Sequence, residues 1–334
     1  MSDDCGMDVI DAVAAVDRLW GLENGGWSVI VEGETATVHL PRAGVVVHVS
    51  RSEVGSRRVA ALQSARSRLA RDGIPVIDLV PSIGGATWEQ VDGRVIEVER
   101  WVDHDGRMNT WDRLRPGAAL LAEVHNAWAD LDLGSDGEAC DWANWISPAE
   151  VGPGCKTTAE RLSAWGLQEL SDQVVHLAEL TAEEVALPTQ VVHGDFWDNN
   201  VYIRDERLIA VTDFDFLGRR PRVDDLALLL YFADEQPYFD GCAYRDADTR
   251  RAELAPLVRA YAGKLSVPLT TTELEALPYA LARQPLWTYG KWLLTDPDDD
   301  HARGEALDTA PAVARALEIV TGADPWINTF SATT

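Results

Sequence analysis

Apolar and polar positions change rhythm along this chain, and the changes mark out its elements. VIDAVAAVDRLWGL carries its apolar residues at helical spacing and predicts a short helix. After Gly25-Gly26, WSVIVEG and TATVHL alternate as strands do. Pro41-Arg42-Ala43-Gly44 signals a turn, and VVVHVSR is a third strand. Ala, Leu and Val return to helical spacing from about Glu53 to Arg71, and Asp72-Gly73-Ile74-Pro75 stops that helix. Two more strands, around Ala86–Gln90 and Val95–Val102, meet at Asp92-Gly93, a strong hairpin signal. Beyond the segment ERWVDHDG the rhythm is mainly helical. Helices are predicted over Leu114–Leu131, Arg161–Glu179, the run after Asp225, AELAPLVRAYAGKL, LPYALARQPLWTYGKWLL and near Ala310–Val320. The tail from Asp324 has no clear period and is expected to be loosely held.

Composition narrows the class. A length of 334 residues suits two domains, and 46% hydrophobic residues suffice for a sizeable core. The net charge of −26 repels nucleic acid and anionic membranes, so neither is an expected partner, while a cationic ligand or a merely solubilising surface fits. The N-terminal stretch MSDDCGMDV carries acids where a signal peptide carries bases, and the apolar runs are too short to span a bilayer. Cys5, Cys140, Cys155 and Cys242 are scattered without metal-ligand spacing. A reduced, cytoplasmic protein is the expectation.

The chemistry concentrates in VVHGDFWDNNVYIRDERLIAVTDFDFLGRRPRVDDLALLLYF. Asp195 is followed five residues later by Asn200, and Asp213 comes thirteen residues after that. Phosphoryl transfer needs one carboxylate to receive the proton of the attacking hydroxyl, and an amide oxygen with a second carboxylate to hold magnesium on the phosphates. Between Asn200 and Asp213, VYIR, Asp205-Glu206-Arg207 and LIAVT read as strand, turn and strand, short enough to return Asp213 beside Asn200.

HGDFWDNNVYI, VTDFDF and DDLALLL together resemble the aminoglycoside phosphotransferase and choline kinase-like superfamily. That resemblance implies an α+β, two-lobed, protein-kinase-like fold, with a small β-rich N-lobe over 1–102 and a mainly helical C-lobe over 103–334. It implies transfer of the terminal phosphate of ATP or GTP, with Mg2+, to a hydroxyl of a small molecule. Residue by residue, Asp195 becomes the catalytic base, Asn200 and Asp213 the magnesium ligands, and His193 and Asp225 the buried brace of the loop. Glu99, Arg100 and Val102 fall where the superfamily reads the nucleotide base through backbone groups. His125 is expected to be a packed polar residue.

The pattern breaks in the small lobe. The superfamily grips phosphate with a strand lysine or arginine oriented by a helix Glu, but Lys156, Lys264 and Lys291 are the only lysines and none lies there. His48 stands at the matching place; strand alternation turns Arg51 to the other face. The helix Glu is missing, with Gln63 nearest and Glu53 too early, and Glu32-Gly33-Glu34 is poor as a phosphate cradle. This supports a rival reading, a nucleotide- or ligand-binding pseudokinase without turnover. Acceptor pockets in such folds are built by helices after the metal strand, where this chain has Asp234, Glu235, Tyr238, Asp240, Gln284, Trp287, Tyr289 and Trp292. Carboxylates with aromatic rings suit an amine-bearing antibiotic, amino-sugar or amino-alcohol. Homoserine, a neutral sugar or a nucleoside is the alternative acceptor.

Overall fold

The computed structural model describes residues 9–23, 25–32, 35–51, 54–138, 144–239, 245–296 and 298–332, and the side chains of 31, 32, 238 and 239 are left aside. Glu53, Asp240, Cys5, Cys140, Cys242, the Gly33-Glu34 pair and the Tyr238 side chain therefore lie outside what is described. The chain divides into two compact units. The first holds residues up to Asp105, with Leu133–Gly137 and Ile203–Thr212; the second holds the remainder.

The first unit follows the predicted order. Helix α1 (Val9–Trp20) precedes strands β1 (Ser28–Glu32), β2 (Ala36–Leu40) and β3 (Val45–Val49), then come α2 (Ser56–Arg71), β4 (Trp88–Val91) and β5 (Arg94–Arg100). They form one sheet of order β1-β2-β3-β5-β4, every pairing antiparallel. Asp92 (φ 48°) and Gly93 (φ 83°) close the β4–β5 hairpin in the left-handed region, as a two-residue turn matching strand twist requires. Strands β2 and β3 alternate buried and half-buried, so one face (Val38, Leu40, Val45, Val47, Val49) packs on Val9, Val13, Val16 and Trp20 of α1. Each fully buried valine or leucine contributes roughly 1.5–3 kcal/mol. The alternation puts Thr37 and His48 on the opposite face.

The second unit begins with short strand β6 (Gly106–Arg107) and the long α3 (Trp111–Trp128). The single helix expected over Arg161–Glu179 is two helices, α4 (Pro148–Ala164) and α5 (Gln168–Thr181). Gly166 at φ 78° ends α4, with the Leu167 N–H on Leu162 O and the Gly166 N–H on Ser163 O, a Schellman closure. Apolar spacing persists on both sides of the break, which hid it. Strands β7 (Thr189–Val192) and β10 (Gly218–Pro221) belong to this unit, whereas β8 (Val201–Arg204) runs from it into the first unit's Ile203–Thr212 and β9 (Arg207–Val211) lies within that segment, the two joined through Asp205 (φ 50°) and Glu206 (φ 56°). Helices α6 (Arg222–Phe239), α7 (Ala247–Ala262) and α8 (Thr271–Arg283) follow, then a π-helical turn (Thr288–Trp292), α9 (Leu293–Thr295), α10 (Asp299–Thr321) and α11 (Ala323–Ser331).

Two expectations about the C-terminal stretch are corrected. Helix α10 starts well before Ala310, because Asp298 accepts from the N–H groups of Asp300 and His301 as an N-cap. The tail is not loose: α11 buries Trp326 to 1% exposure and Phe330 completely, one turn apart on the same helix face. Among the described residues no helix is long and apolar enough to cross a membrane, and Cys155 is buried.

Candidate active site

Strand β10 pairs antiparallel with β7, Gly218 opposite Val192 and Pro221 opposite Thr189, so β10 starts beside the residues leaving β7 and α6 starts beside those entering it. Asp225, in the first turn of α6, then reaches the bend at His193-Gly194. Its carboxylate accepts from the His193 N–H at 2.9 Å and the Gly194 N–H at 2.8 Å. The bend needs glycine: Gly194 has φ 81°, and a Cβ there would collide with the Phe216 carbonyl oxygen and the Arg220 guanidinium. A third donor is His125 Nε2 at 3.0 Å. Since a carboxylate only accepts, Nε2 carries the hydrogen, and Nδ1 bonds the Tyr261 hydroxyl at 2.7 Å. Burial opposes charge on Asp225, but the His125 hydrogen bond and the nearby His125, His193 and Arg220 outweigh it and hold the carboxyl below its ordinary range. The expected brace and the packed histidine meet in one buried group.

Asp195 follows the bend and is 5% exposed. Asn200 Nδ2 donates both to its carboxylate Oδ2 at 2.7 Å and to its main-chain oxygen at 2.8 Å. Trp197 Nε1 donates to Oδ2 at 3.3 Å, and Asn144 Nδ2 donates to Oδ1 at 3.1 Å. Burial pushes the carboxyl up to about 6; the donors Asn144, Asn200 and Trp197 restrain the rise and the charge of Asp225 adds to it. A carboxylate that is ionised near neutrality yet basic enough to take a proton suits general-base work.

Asn200 ends a short 3-10 turn and leads directly into β8. Its amide nitrogen is on Asp195, and an amide oxygen is a hard donor of the kind magnesium takes. Asp213 lies two residues beyond β9 with φ 62°, a conformation uncommon for a residue bearing a side chain and one that Asp and Asn tolerate best. Asp213 and Asp215 are exposed. Among the described residues no three His, Cys, Asp or Glu gather into a cation cage. Hard oxygen donors in small number, completed by phosphate and water, are what magnesium takes.

In the first unit, the half-exposed His48 ring bonds Glu99 on β5 at 3.2 Å and Thr37 on β2 at 3.3 Å. Glu99 also receives Arg66 of α2 at 2.5 Å, and Arg66 donates to the Ile77 carbonyl as well. Burial would raise the Glu99 carboxyl, but His48 and Arg66 together hold it down to about 2. The expected helix acid is thus replaced by a helix cation, with the acid on the strand. Gln63, its nearest sequence candidate, bonds Glu97. Glu99 therefore uses its side chain inside this cluster, the Arg100 N–H is taken by Asp78 O, and Val102 follows the end of β5.

The candidate acceptor residues divide. Asp234 is 3% exposed, and its carboxylate is clamped by Arg250 at 2.6 and 3.0 Å and by Arg245 at 3.1 Å. Glu235 is paired with Arg315. Tyr289 is fully buried with its hydroxyl on Ala306 O. Asp234 and Glu235 are held toward the helical core by arginines from α7, α10 and the segment before α7, and Tyr289 by its bond to α10. Gln284, whose amide bonds the Ala280 carbonyl, and Trp287 are half-buried. Two residues not singled out in the sequence, Asn144 and Trp197, touch Asp195 instead; Trp197 also stacks on Phe232 of α6 at 4.2 Å.

A family model, the phosphotransferase enzyme family, matches residues 38–269, from β2 to the residue before the α8 cap. The chain belongs to that family. Its members and the relatives of this chain are small-molecule kinases, and so is this enzyme. A homoserine kinase of Rhodopseudomonas palustris (strain BisB18) is 26% identical over 254 residues, covering 74% of this chain and 72% of the relative. Among solved structures, an amicoumacin kinase in complex with AMP-PNP, Ca2+ and Ami superposes with a TM-score of 0.69 at 13% identity, covering 92% of this chain and 93% of that one. A microcompartment-associated aminopropanol kinase gives 0.67 at 14% identity, with 94% and 97% covered. These likenesses show the kinase-like α+β fold expected from the motif.

Proposed function

We propose that this enzyme transfers the terminal phosphate of ATP, in the presence of Mg2+, to the hydroxyl of a small amine-bearing alcohol or hydroxy amino acid. The observation that carries the reading is the Asp195 carboxylate, buried, fixed by Asn200 and still basic enough to accept a proton. Asp195 takes the hydrogen of the acceptor hydroxyl as its oxygen bonds to the terminal phosphorus, and Asp225 keeps the loop from moving. Asn200 and Asp213 would hold Mg2+, which neutralises phosphate charge when bound. For the nucleotide, His48, its ring held by Thr37 and Glu99, is assigned the place of the family's strand cation, and backbone groups of Glu99, Arg100 and Val102 are assigned to the base.

The acceptor class draws support from two sources. The relatives that align over most of the chain are named homoserine kinases, and homoserine joins a primary hydroxyl to an amine on a short chain. A strongly acidic chain attracts a cationic acceptor at a distance, although Asp234 and Glu235 do not present their charge to it. The test is ADP release from MgATP with homoserine, aminopropanol, ethanolamine, choline, an aminoglycoside, a neutral sugar and a nucleoside. Turnover is expected with one or more of the short amino alcohols and is expected to vanish without divalent metal. Efficient phosphorylation of the sugar or nucleoside, with the amines ignored, rejects the acceptor class.

A further inference from the structure

We infer that Asn144 is a positioning residue of the transfer reaction, fixing Asp195 so that Oδ1 is the oxygen that receives the acceptor proton. The inference rests on the reading of Asp195 as the base. A carboxylate oxygen offers two lone pairs in its plane. At Oδ2 both are engaged, by Asn200 Nδ2 at 2.7 Å and Trp197 Nε1 at 3.3 Å. Oδ1 accepts from Asn144 Nδ2 at 3.1 Å, which leaves its second lone pair to meet a hydroxyl. In the step, the acceptor O–H bond breaks toward Oδ1 and the acceptor oxygen bonds phosphorus. The bond from phosphorus to the bridging oxygen breaks, its electron pair leaving with the nucleoside diphosphate.

The placement of Asn144 is built, not incidental. The next residue, Trp145, lies under the Arg220 guanidinium at 5.1 Å, and Arg220 itself packs against Gly194 of the motif. Ile146 is 2% exposed, and its carbonyl accepts from Arg283 Nε at 3.1 Å. Arg283 in turn pairs with Asp224, beside the brace Asp225, at 2.7 Å. Ser147 then caps α4 in a reciprocal box with Glu150. The connector is thus pinned to α6 and α8 on one side of Asn144, and the amide nitrogen that this delivers points at the base.

The experiment compares wild type with Asn144→Leu and the isosteric Asn144→Asp, both of which lack the amide donor. Asp195→Asn serves as the control for the base and Trp197→Phe as the loss of one of the two donors on Oδ2. ADP release is measured with the best panel acceptor and with water alone as acceptor, so that the readout does not depend on naming the acceptor, and folding is checked by thermal unfolding. Both Asn144 variants are expected to lose kcat by roughly 10- to 100-fold with KM for MgATP within about twofold of wild type, and Trp197→Phe to lose less. A folded Asn144 variant whose kcat stays within about twofold of wild type overturns the inference while leaving the base intact, provided Asp195→Asn is inactive. Full turnover by Asp195→Asn removes the base reading and this inference with it.

Discussion

Replacing Asp225 with asparagine probes the brace most directly. The carboxylate takes three N–H donors, from His193, Gly194 and His125, at 2.8 to 3.0 Å while only 2% exposed. An amide supplies one oxygen. With that oxygen at the Oδ2 position, where His193 and His125 donate, its NH2 faces the Gly194 N–H and two donors meet. Losing a charge-assisted hydrogen bond costs about 1.5–3 kcal/mol, and a buried N–H left without an acceptor costs about 1–3 more. The variant should therefore be about 3–5 kcal/mol less stable. At roughly 2–4 °C per kcal/mol this lowers Tm by about 6–20 °C. Turnover should fall as well, because Asp195 follows Gly194 directly. The pH dependence has a definite sign. The folded carboxyl lies below its ordinary range, so the stability it contributes is present above the unfolded pKa near ~3.9 and is lost as pH falls through the lower folded value. The Tm gap between wild type and Asp225→Asn should hold from neutrality to about pH 5 and shrink in more acid solution. Scanning calorimetry from pH 3 to 7 measures it. A variant within about 2 °C of wild type at pH 7 with full turnover would refute the reasoning.

Asp213→Asn keeps a residue type that tolerates φ 62° but removes the charge, so folding should be unchanged while magnesium-dependent nucleotide binding, followed by titration calorimetry, weakens together with turnover. His48→Ala should weaken nucleotide binding roughly tenfold or more, and His48→Lys, which restores the family's usual cation, should retain it; equal affinity in all three proteins rules out a phosphate role. Asp234→Asn leaves Arg250 buried beside a neutral partner and should cost about 3–5 kcal/mol in urea unfolding while the acceptor KM stays unchanged; a raised KM with normal stability would return Asp234 to the acceptor site.

What the sequence made legible was whatever local chemistry or period dictates. Strands β2 and β3 alternate buried and half-buried because one of their faces meets α1. The set Asp195, Asn200 and Asp213 stands out because the roles proposed for it, a base and two metal ligands, would need fixed spacing around a hairpin. Contacts assembled by tertiary folding left no such trace. Asn144 lies 51 residues before the Asp195 it touches. Arg66 reaches Glu99 from a helix where an acid was anticipated, so the expected charge pair is present with its signs exchanged between helix and strand. Asp234 and Glu235 looked available because the arginines that neutralise them, Arg250 and Arg315, lie 16 and 80 residues away. Gly166 did carry a signal, and the apolar repeat running past it masked the helix end.

Helix α11 has a consequence for how the protein is made. It packs on α7 and α8, with Trp326 beneath the Arg250 guanidinium at 5.9 Å and Phe330 sealed inside. During synthesis the first unit's sheet can close as soon as β5 is out, but the apolar flanks of α7 and α8 stay uncovered until Phe330 has left the ribosome. Premature termination after α8 would therefore release a chain bearing Asp195, Asn200 and Asp213 and an open hydrophobic face. Such a product is a substrate for chaperones and proteases before it is an enzyme.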